Sequence, residues 1–191
     1  MVRRMETRGY LFGLLVLVLS GCTLDGNGGE PWLVLRQFSI GETGPAGGIV
    51  FYDKGERTDG WRYLEAWVED IETSVTWGNY DIVGTTATAI GSGEVNTRTV
   101  VEFYAGQGVA EAADAASNFA VAGYDDWFLP SFDELQEMYT QRAVLPALQD
   151  VFYWSSSEFD VDFAYAVNPV SGQAPSTDKL DLYSVRPIRA F

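Results

Sequence analysis

The chain has 191 residues, 47% of them hydrophobic, with 12 basic and 27 acidic side chains and no histidine. The net charge of −15 argues against nucleic-acid binding, because an acidic surface repels phosphate backbones. The lack of histidine removes the usual general base of nucleophilic triads and the commonest transition-metal ligand. Cys22 is the single cysteine, so no intramolecular disulfide forms and the fold depends on its own core.

The N-terminus has the organisation of a lipoprotein signal. Three arginines precede an apolar run at residues 10–19, which is too short to cross a bilayer as a permanent helix and fits a secretory signal. Residues 19–22, Leu-Ser-Gly-Cys, resemble the lipobox of bacterial lipoproteins, in which small residues precede the acylated cysteine. We predict a signal peptide at residues 1–21 and lipidation of Cys22. The alternative is an ordinary signal peptide that ends near a cysteine.

A short linker follows the predicted anchor. Residues 22–39 begin with a Gly-rich, polar stretch, which as a flexible coil would keep the domain close to its membrane. Thr23 stands where an aspartate would favour inner-membrane retention, so we expect the outer membrane, on its periplasmic face or at the cell surface. Signal cleavage removes three arginines and one glutamate, which changes the net charge from −15 to −17. Anionic headgroups repel such a chain, so membrane attachment would depend on acylation.

Residues 40–191 are expected to form a single α+β domain with antiparallel strands. The Asp59-Gly60 turn between two apolar segments indicates a hairpin. The predicted strands cover residues 49–52, 61–67, 152–156, 163–169 and 185–191.

Two to three helices are predicted between the hairpin and the C-terminal strands. Asn96 or Thr97 is expected to cap the first, which continues to about residue 104, and an Ala-rich helix follows at residues 109–120. Ser131 and Glu134 form a Ser-x-x-Glu capping box that begins the third helix.

Six short motifs occur in order along this domain. They are GPAGGIVFY at 44–52, GWRYLEA at 60–66, TAIGSG with NT at 88–97, GYDDWFLPS with EL at 123–135, YWSSSE at 153–158 and VRPIRAF at 185–191. Together they resemble the Lcl C-terminal domain family over about residues 40–191. The resemblance implies surface or periplasmic placement and a C-type-lectin-like fold. The family's best-known member implies binding of sulfated polysaccharides.

One kind of chemistry open to such a chain is the binding of a hard cation by oxygen ligands. Glu158, Asp160 and Asp162 recur at every second residue, directly after three serines. Calcium takes six to eight oxygen ligands, which such a segment could supply together with carbonyls and water. No cofactor is certain, and Ca²⁺ is the candidate. The alternative is a solvated acidic loop.

Glycan binding is the second kind of site that the residues support. Aromatic rings would stack on sugar faces, while amide, hydroxyl and carboxylate groups would bond the sugar hydroxyls. The candidate residues are expected to converge on one sheet face: Trp154, Ser156, Glu158, Tyr165, Asn168 and Arg186. The alternatives are that the aromatic residues belong to the core and that the arginine pairs with a carboxylate.

The sequence therefore predicts a membrane-anchored, non-catalytic binding or adhesion module outside the cytoplasm. Its expected partners are the membrane, through acylated Cys22, and a glycan or a surface protein. A structural envelope protein that contacts other proteins is the first alternative. A carboxylate-dependent hydrolase is the second, although any acidic chain brings some pair of carboxylates to a hydrolytic spacing by chance.

Overall fold

A computed structural model describes residues 36–191 of the chain. The predicted signal peptide, the predicted lipidation site at Cys22 and most of the linker lie outside the described residues. Within residues 36–191, no helix has the length and apolar character needed to cross a membrane.

The described residues form a single α+β domain with three helices, as predicted, and with eight strands, where five were predicted. In chain order the elements are β1 (Ile49–Thr58), β2 (Trp61–Ala66), β3 (Glu72–Val75), α1 (Gly93–Phe103), α2 (Glu111–Ser117), α3 (Phe132–Thr140), β4 (Tyr153–Glu158), β5 (Phe163–Val167), β6 (Ser176–Asp178), β7 (Tyr183–Val185) and β8 (Ile188–Ala190). The strands β3 and β6 were not predicted, because both are short and largely polar or exposed.

The strands form two sheets. One has three antiparallel strands in the order β1-β2-β8, and its β1–β2 pair is the predicted hairpin. The other has five strands in the order β3-β7-β4-β5-β6, and only its β4–β7 pair is parallel. The strand predicted at residues 185–191 is divided between the two sheets, because Pro187 lacks an N–H and interrupts the ladder.

Hydrophobic clusters fill the space between the sheets and helices. One packs α1 and α2 around Trp77, Leu129 and Trp154. A second packs α3 against β1, β2 and β8, with Leu135 and Met138 fully buried. A third joins Phe38, Val50, Tyr63 and Phe191, so the first described residues pack against the C-terminus.

Helix α1 begins earlier than predicted. Ser92 occupies the N-cap position, and Asn96 and Thr97 lie inside the helix. The Asn96 amide donates to the Ala87 carbonyl at 2.7 Å, and the Thr97 hydroxyl contacts the Leu129 carbonyl at 3.0 Å. Both side chains therefore bind neighbouring segments and do not cap the helix.

Helix α3 begins at the predicted capping box. The Ser131 hydroxyl accepts from the Glu134 N–H at 3.3 Å, and the Glu134 carboxylate accepts from the Ser131 N–H at 2.6 Å. The Ala-rich helix α2 is shorter than predicted, and it buries Ala112, Ala113 and Ala116.

Candidate functional site

Two of the predicted glycan-binding residues, Trp154 and Ser156, lie in the protein interior. Both are fully buried on β4. The Trp154 indole N–H donates to the Val75 carbonyl at 2.8 Å, which ties β4 to β3. The Ser156 hydroxyl has no hydrogen-bond partner within the described chain. Neither side chain is placed to contact a sugar, so this part of the prediction is wrong.

Glu158 forms a buried ion pair with Lys179. The Lys179 ammonium donates to the Glu158 carboxylate at 2.7 Å, and the two side chains are 0% and 1% exposed. The carboxylate also accepts from the N–H groups of Val83 and Gly84, at 2.9 Å and 2.7 Å. The ammonium further donates to the Asp81 and Val161 carbonyls, at 2.7 Å and 3.1 Å. The pair thus connects three chain segments.

The three carboxylates predicted to bind calcium are not brought together. Glu158 lies in the interior, whereas Asp160 and Asp162 are exposed. The Asp160 carboxylate accepts from the N–H groups of Asp162 and Phe163, both at 2.9 Å, and so shapes its own turn. Among residues 36–191, no three acidic, histidine or cysteine side chains are grouped to hold a metal ion. The structure therefore does not form the predicted cation site from Glu158, Asp160 and Asp162.

Asn168 and Arg186 also serve the fold. The Asn168 amide donates to Asp150 at 2.9 Å, and its oxygen accepts from two backbone N–H groups in the turn that follows. Arg186 is 1% exposed and pairs with Asp70 at 2.6 Å. The structure thus agrees with the alternative that the arginine pairs with a carboxylate inside the fold.

Arg189 and Glu65 form a third buried charge network. The Arg189 guanidinium contacts Glu65 at 3.1 Å and Asp126 at 2.5 Å. Glu65 also accepts from the Gly48 N–H at 3.0 Å, and a Cβ on Gly44 would collide with its carboxylate. Burial raises the pKa of Glu65, against the opposing effect of the Arg189 hydrogen bond. The glycines before β1 are needed because they let the backbone approach this carboxylate.

A further buried acidic residue, Glu134, joins the N-terminal ends of α1 and α3. It accepts from the N–H groups of Gly91 at 2.8 Å and Ser131 at 2.6 Å. A Cβ on Gly93, the first residue of α1, would collide with it. Burial raises the pKa of Glu134 to about 7, although the backbone N–H groups act in the opposite direction.

The raised pKa of Glu134 predicts a pH-dependent stability. Between about pH 4.5 and pH 7 the folded chain holds a proton on Glu134 that the unfolded chain has released. The free energy of unfolding should therefore fall by about 3 kcal/mol as the pH rises through this window, and change no further above it.

Urea unfolding of the wild type and of Glu134→Gln, across this pH range, measures the effect. Glutamine resembles the protonated acid and does not titrate, so wild type should lose stability relative to the variant as the pH rises. Glu56→Gln, which removes an exposed carboxylate, controls for the loss of one charge. A constant difference between wild type and Glu134→Gln would contradict the prediction.

Tyr165 is the one predicted glycan-binding residue that reaches the surface, and it lies among other rings. Its ring centroid is 4.5 Å from that of Phe132 and 5.4 Å from that of Phe159. Phe163 shares its face of β5, because side chains two residues apart point the same way. Asp178 on β6 lies opposite Phe163 and accepts from the Tyr80 hydroxyl at 2.9 Å. These rings form one face of the β5–β6 hairpin.

The apolar side chains around this hairpin are unusually exposed. We define the β5–β6 surface by Tyr80, Phe159, Val161, Phe163, Tyr165 and Leu180, together with Asp160, Asp162 and Asp178. Its apolar members apart from Tyr165 are between 38% and 49% exposed. The segments that carry them meet around Lys179, whose ammonium contacts the carbonyls of Asp81 and Val161. The buried Glu158–Lys179 ion pair therefore joins the segments that carry the surface.

A cleft on the other side of the five-stranded sheet is the alternative site. It has a volume of about 320 Å³ and lies along α1, lined by Glu94, Arg98 and Glu102 and by residues 125–128. The aromatic residues of its lining, Trp127 and Phe128, are buried, at 3% and 4% exposure. The cleft consequently presents charges without an open ring, whereas the β5–β6 surface presents both.

The sequence contains a local signal for the β5–β6 surface. Residues 159–163, Phe-Asp-Val-Asp-Phe, alternate apolar and acidic side chains. The spacing of the aspartates alone suggests a cation site, whereas the apolar residues between them indicate an exposed apolar surface. All five side chains are exposed.

Comparison with known proteins identifies the family. The sequence model of the Lcl C-terminal domain matches residues 66–189, which is more than half of the chain. The chain belongs to the Lcl C-terminal domain family. A search of curated proteins found no match. A solved fimbrial protein from Bacteroides ovatus shares 15% identity with a TM-score of 0.41, over 68% of this chain and 36% of its own. This chain thus spans about a third of that protein's length.

Membership of the Lcl C-terminal domain family confirms the resemblance found in the motifs. Within this chain, several motif residues have structural roles: Glu158 and Arg186 in ion pairs, Glu65 and Arg189 in a shared network, and Glu134 between two helices. The likeness to C-type lectins stays a prediction.

Proposed function

We propose that this protein is a lipid-anchored, non-catalytic binding or adhesion module of the cell envelope. The observation that carries the proposal is the β5–β6 surface, where partly exposed rings lie beside carboxylates on a rigid support. By contrast, Glu65, Glu134 and Glu158, the acidic residues best shielded from solvent among those described, are hydrogen-bonded within the fold. Such a chain is suited to hold a ligand by its surface.

A glycan is the first candidate ligand. Rings such as Tyr165 and Phe159 offer faces to a sugar ring, and nearby aspartates accept from sugar hydroxyls. A sulfated polysaccharide fits poorly, because it needs cationic contacts and the aspartates would repel it. The aspartates of the surface therefore favour a neutral glycan over a sulfated one.

A protein partner is the second candidate, and the composition of the surface favours it. Val161 and Leu180 are exposed within it, and Ile82 and Leu182, next to it in sequence, are 71% and 58% exposed. Aliphatic side chains do not stack on sugars, whereas protein interfaces bury them in quantity. The side-chain polar groups that flank the rings are mostly carboxylates, which complement a partner's cations better than a sugar's mixed donors and acceptors.

Membrane attachment is tested by Cys22→Ser. Loss of the thiol should abolish incorporation of labelled palmitate and move the protein from the membrane fraction to the soluble fraction. Thr23→Asp keeps the thiol and should keep the label, which makes it the matched control. A labelled Cys22→Ser protein would show that the anchor lies elsewhere.

Binding is tested with isolated cell envelopes and the exported chain that carries Cys22→Ser, so that acylation does not by itself place the protein in the membrane fraction. This unanchored chain should sediment with envelopes from cells that lack the gene, and the same chain with Phe159→Ala/Phe163→Ala should not. Val95→Ala, which removes an exposed apolar group from α1, is the control. Equal sedimentation of all three proteins would refute the assignment of the surface. Turnover of an envelope component by the purified protein would refute the non-catalytic role.

A further inference from the structure

The charges of the β5–β6 surface are almost all negative. The segments at residues 79–85, 158–165 and 176–183 contain five aspartates and Glu158, and Lys179 is their only basic residue. Glu158 and Lys179 neutralise each other in the interior. Three of the five aspartates, Asp160, Asp162 and Asp178, belong to the surface as defined. All five are left without a cation from these segments, and their field attracts positive charge.

The exposed rings suit the same kind of ligand. A lysine or arginine side chain is attracted to the face of an aromatic ring, and it can contact a carboxylate at the same time. This fold already uses the first of these contacts. Lys54 lies 3.8 Å from the centre of the Trp61 ring, and Arg189 lies 4.1 Å from that of Tyr124.

The surface is also held in place before any ligand arrives. Lys179 donates to Asp81, Glu158 and Val161, so it fixes the loop between β3 and α1, the end of β4 and the turn into β5. The Tyr80 hydroxyl fixes the loop to Asp178 on β6. A prearranged surface loses little conformational freedom on binding.

We propose that the β5–β6 surface binds a cationic, partly apolar segment of another protein. The proposal rests on the proposed function and names the chemistry of the partner. A second copy of this chain is disfavoured as occupant, because the same aspartates would face each other. Lysine or arginine side chains would lie over the rings and beside Asp162 and Asp178, while the partner's apolar side chains would cover Val161 and Leu180.

The test uses the exported full chain in mild detergent and a fluorescent synthetic peptide of alternating lysine and leucine. Anisotropy titration should show binding that weakens when the ionic strength rises from about 0.05 M to about 0.5 M. A peptide of alternating glutamate and leucine should not bind.

Matched variants locate the contact. Asp162→Asn/Asp178→Asn keeps an oxygen that can accept from Tyr80 and should weaken peptide binding roughly tenfold. Leu180→Ala should weaken it roughly threefold. Glu56→Gln/Glu69→Gln removes two exposed charges elsewhere, Val95→Ala removes an exposed apolar group elsewhere, and both should stay within about twofold of wild type. Circular dichroism confirms that each variant is folded.

Several results would overturn the proposal. They are equal binding of the acidic peptide, equal weakening by the control variants, displacement of the peptide by a neutral oligosaccharide, and self-association that the surface variants abolish. If the Cys22→Ser chain binds envelopes but the full chain does not bind the peptide, the cationic partner is refuted and the proposed function stands. If neither binding is seen, both are refuted.

Discussion

Lys179→Met is expected to lower the free energy of unfolding by about 3–5 kcal/mol, because it leaves a buried carboxylate without its counter-charge. Methionine replaces the four-atom stem of lysine but lacks the ammonium, so it donates no hydrogen bonds. Glu158, which is 1% exposed, would keep only the N–H groups of Val83 and Gly84. The Asp81 and Val161 carbonyls would lose a donor as well.

Urea unfolding measures this loss, and two further variants interpret it. Lys179→Met/Glu158→Gln removes both charges, and the glutamine oxygen still accepts from the backbone, so the double variant should recover part of the loss. Lys54→Met removes a half-buried lysine of the β1–β2 hairpin that has no carboxylate partner among the ion pairs of the described residues, and should cost less than about 1 kcal/mol. If Lys179→Met cost no more than Lys54→Met, the ion pair would contribute nothing to folding.

Arg186→Met should be about as damaging, with a loss of about 3–5 kcal/mol. All five N–H donors of this guanidinium are used. Two bind the Asp70 carboxylate, at 2.8 Å and 2.6 Å. The other three bind the carbonyls of Trp67, Pro146 and Ala147 at 3.0–3.1 Å. The substitution leaves a partly buried carboxylate and three carbonyls without these donors.

Two comparisons test whether this loss depends on the geometry of the guanidinium. Arg186→Lys keeps the charge but offers at most three donors from one atom, so its stability should lie between those of wild type and Arg186→Met. Arg142→Met removes an exposed arginine with a single carbonyl partner and should cost less than about 1 kcal/mol. If Arg186→Lys were as stable as wild type, charge alone would explain the role of Arg186.

These ion pairs show that a chain of net charge −15 places several of its few basic side chains in the interior. Lys179, Arg186 and Arg189 are all buried, and each neutralises a carboxylate inside the fold. Because each pair removes one charge of either sign, the net charge of the surface is unchanged, but the ratio of acidic to basic side chains there is higher than in the whole chain. This distribution is the reason that the β5–β6 surface is expected to prefer a cationic partner.

Local patterns in the sequence predicted the elements whose signals lie within a few residues. The Asp59-Gly60 turn predicted the hairpin, since Asp59 adopts a positive φ of 53° and Gly60 one of 86°. Ser131 and Glu134 predicted the start of α3, because both bonds of a capping box join residues three apart. The same reasoning misplaced the start of α1, where Asn96 and Thr97 bind partners in other segments.

The sequence by itself determined the α+β class and the family. It also excluded histidine-dependent catalysis, metal binding by histidine and an intramolecular disulfide. Only the tertiary structure decided which charged and aromatic residues are internal. Glu158 meets Lys179 across 21 positions and Arg186 meets Asp70 across 116, and no local pattern encodes such pairings. Burying a charge in the protein interior costs free energy unless the charge is paired. Glu158 and Arg186, which the sequence suggested as ligand-binding residues, are therefore paired inside the fold and stabilise it.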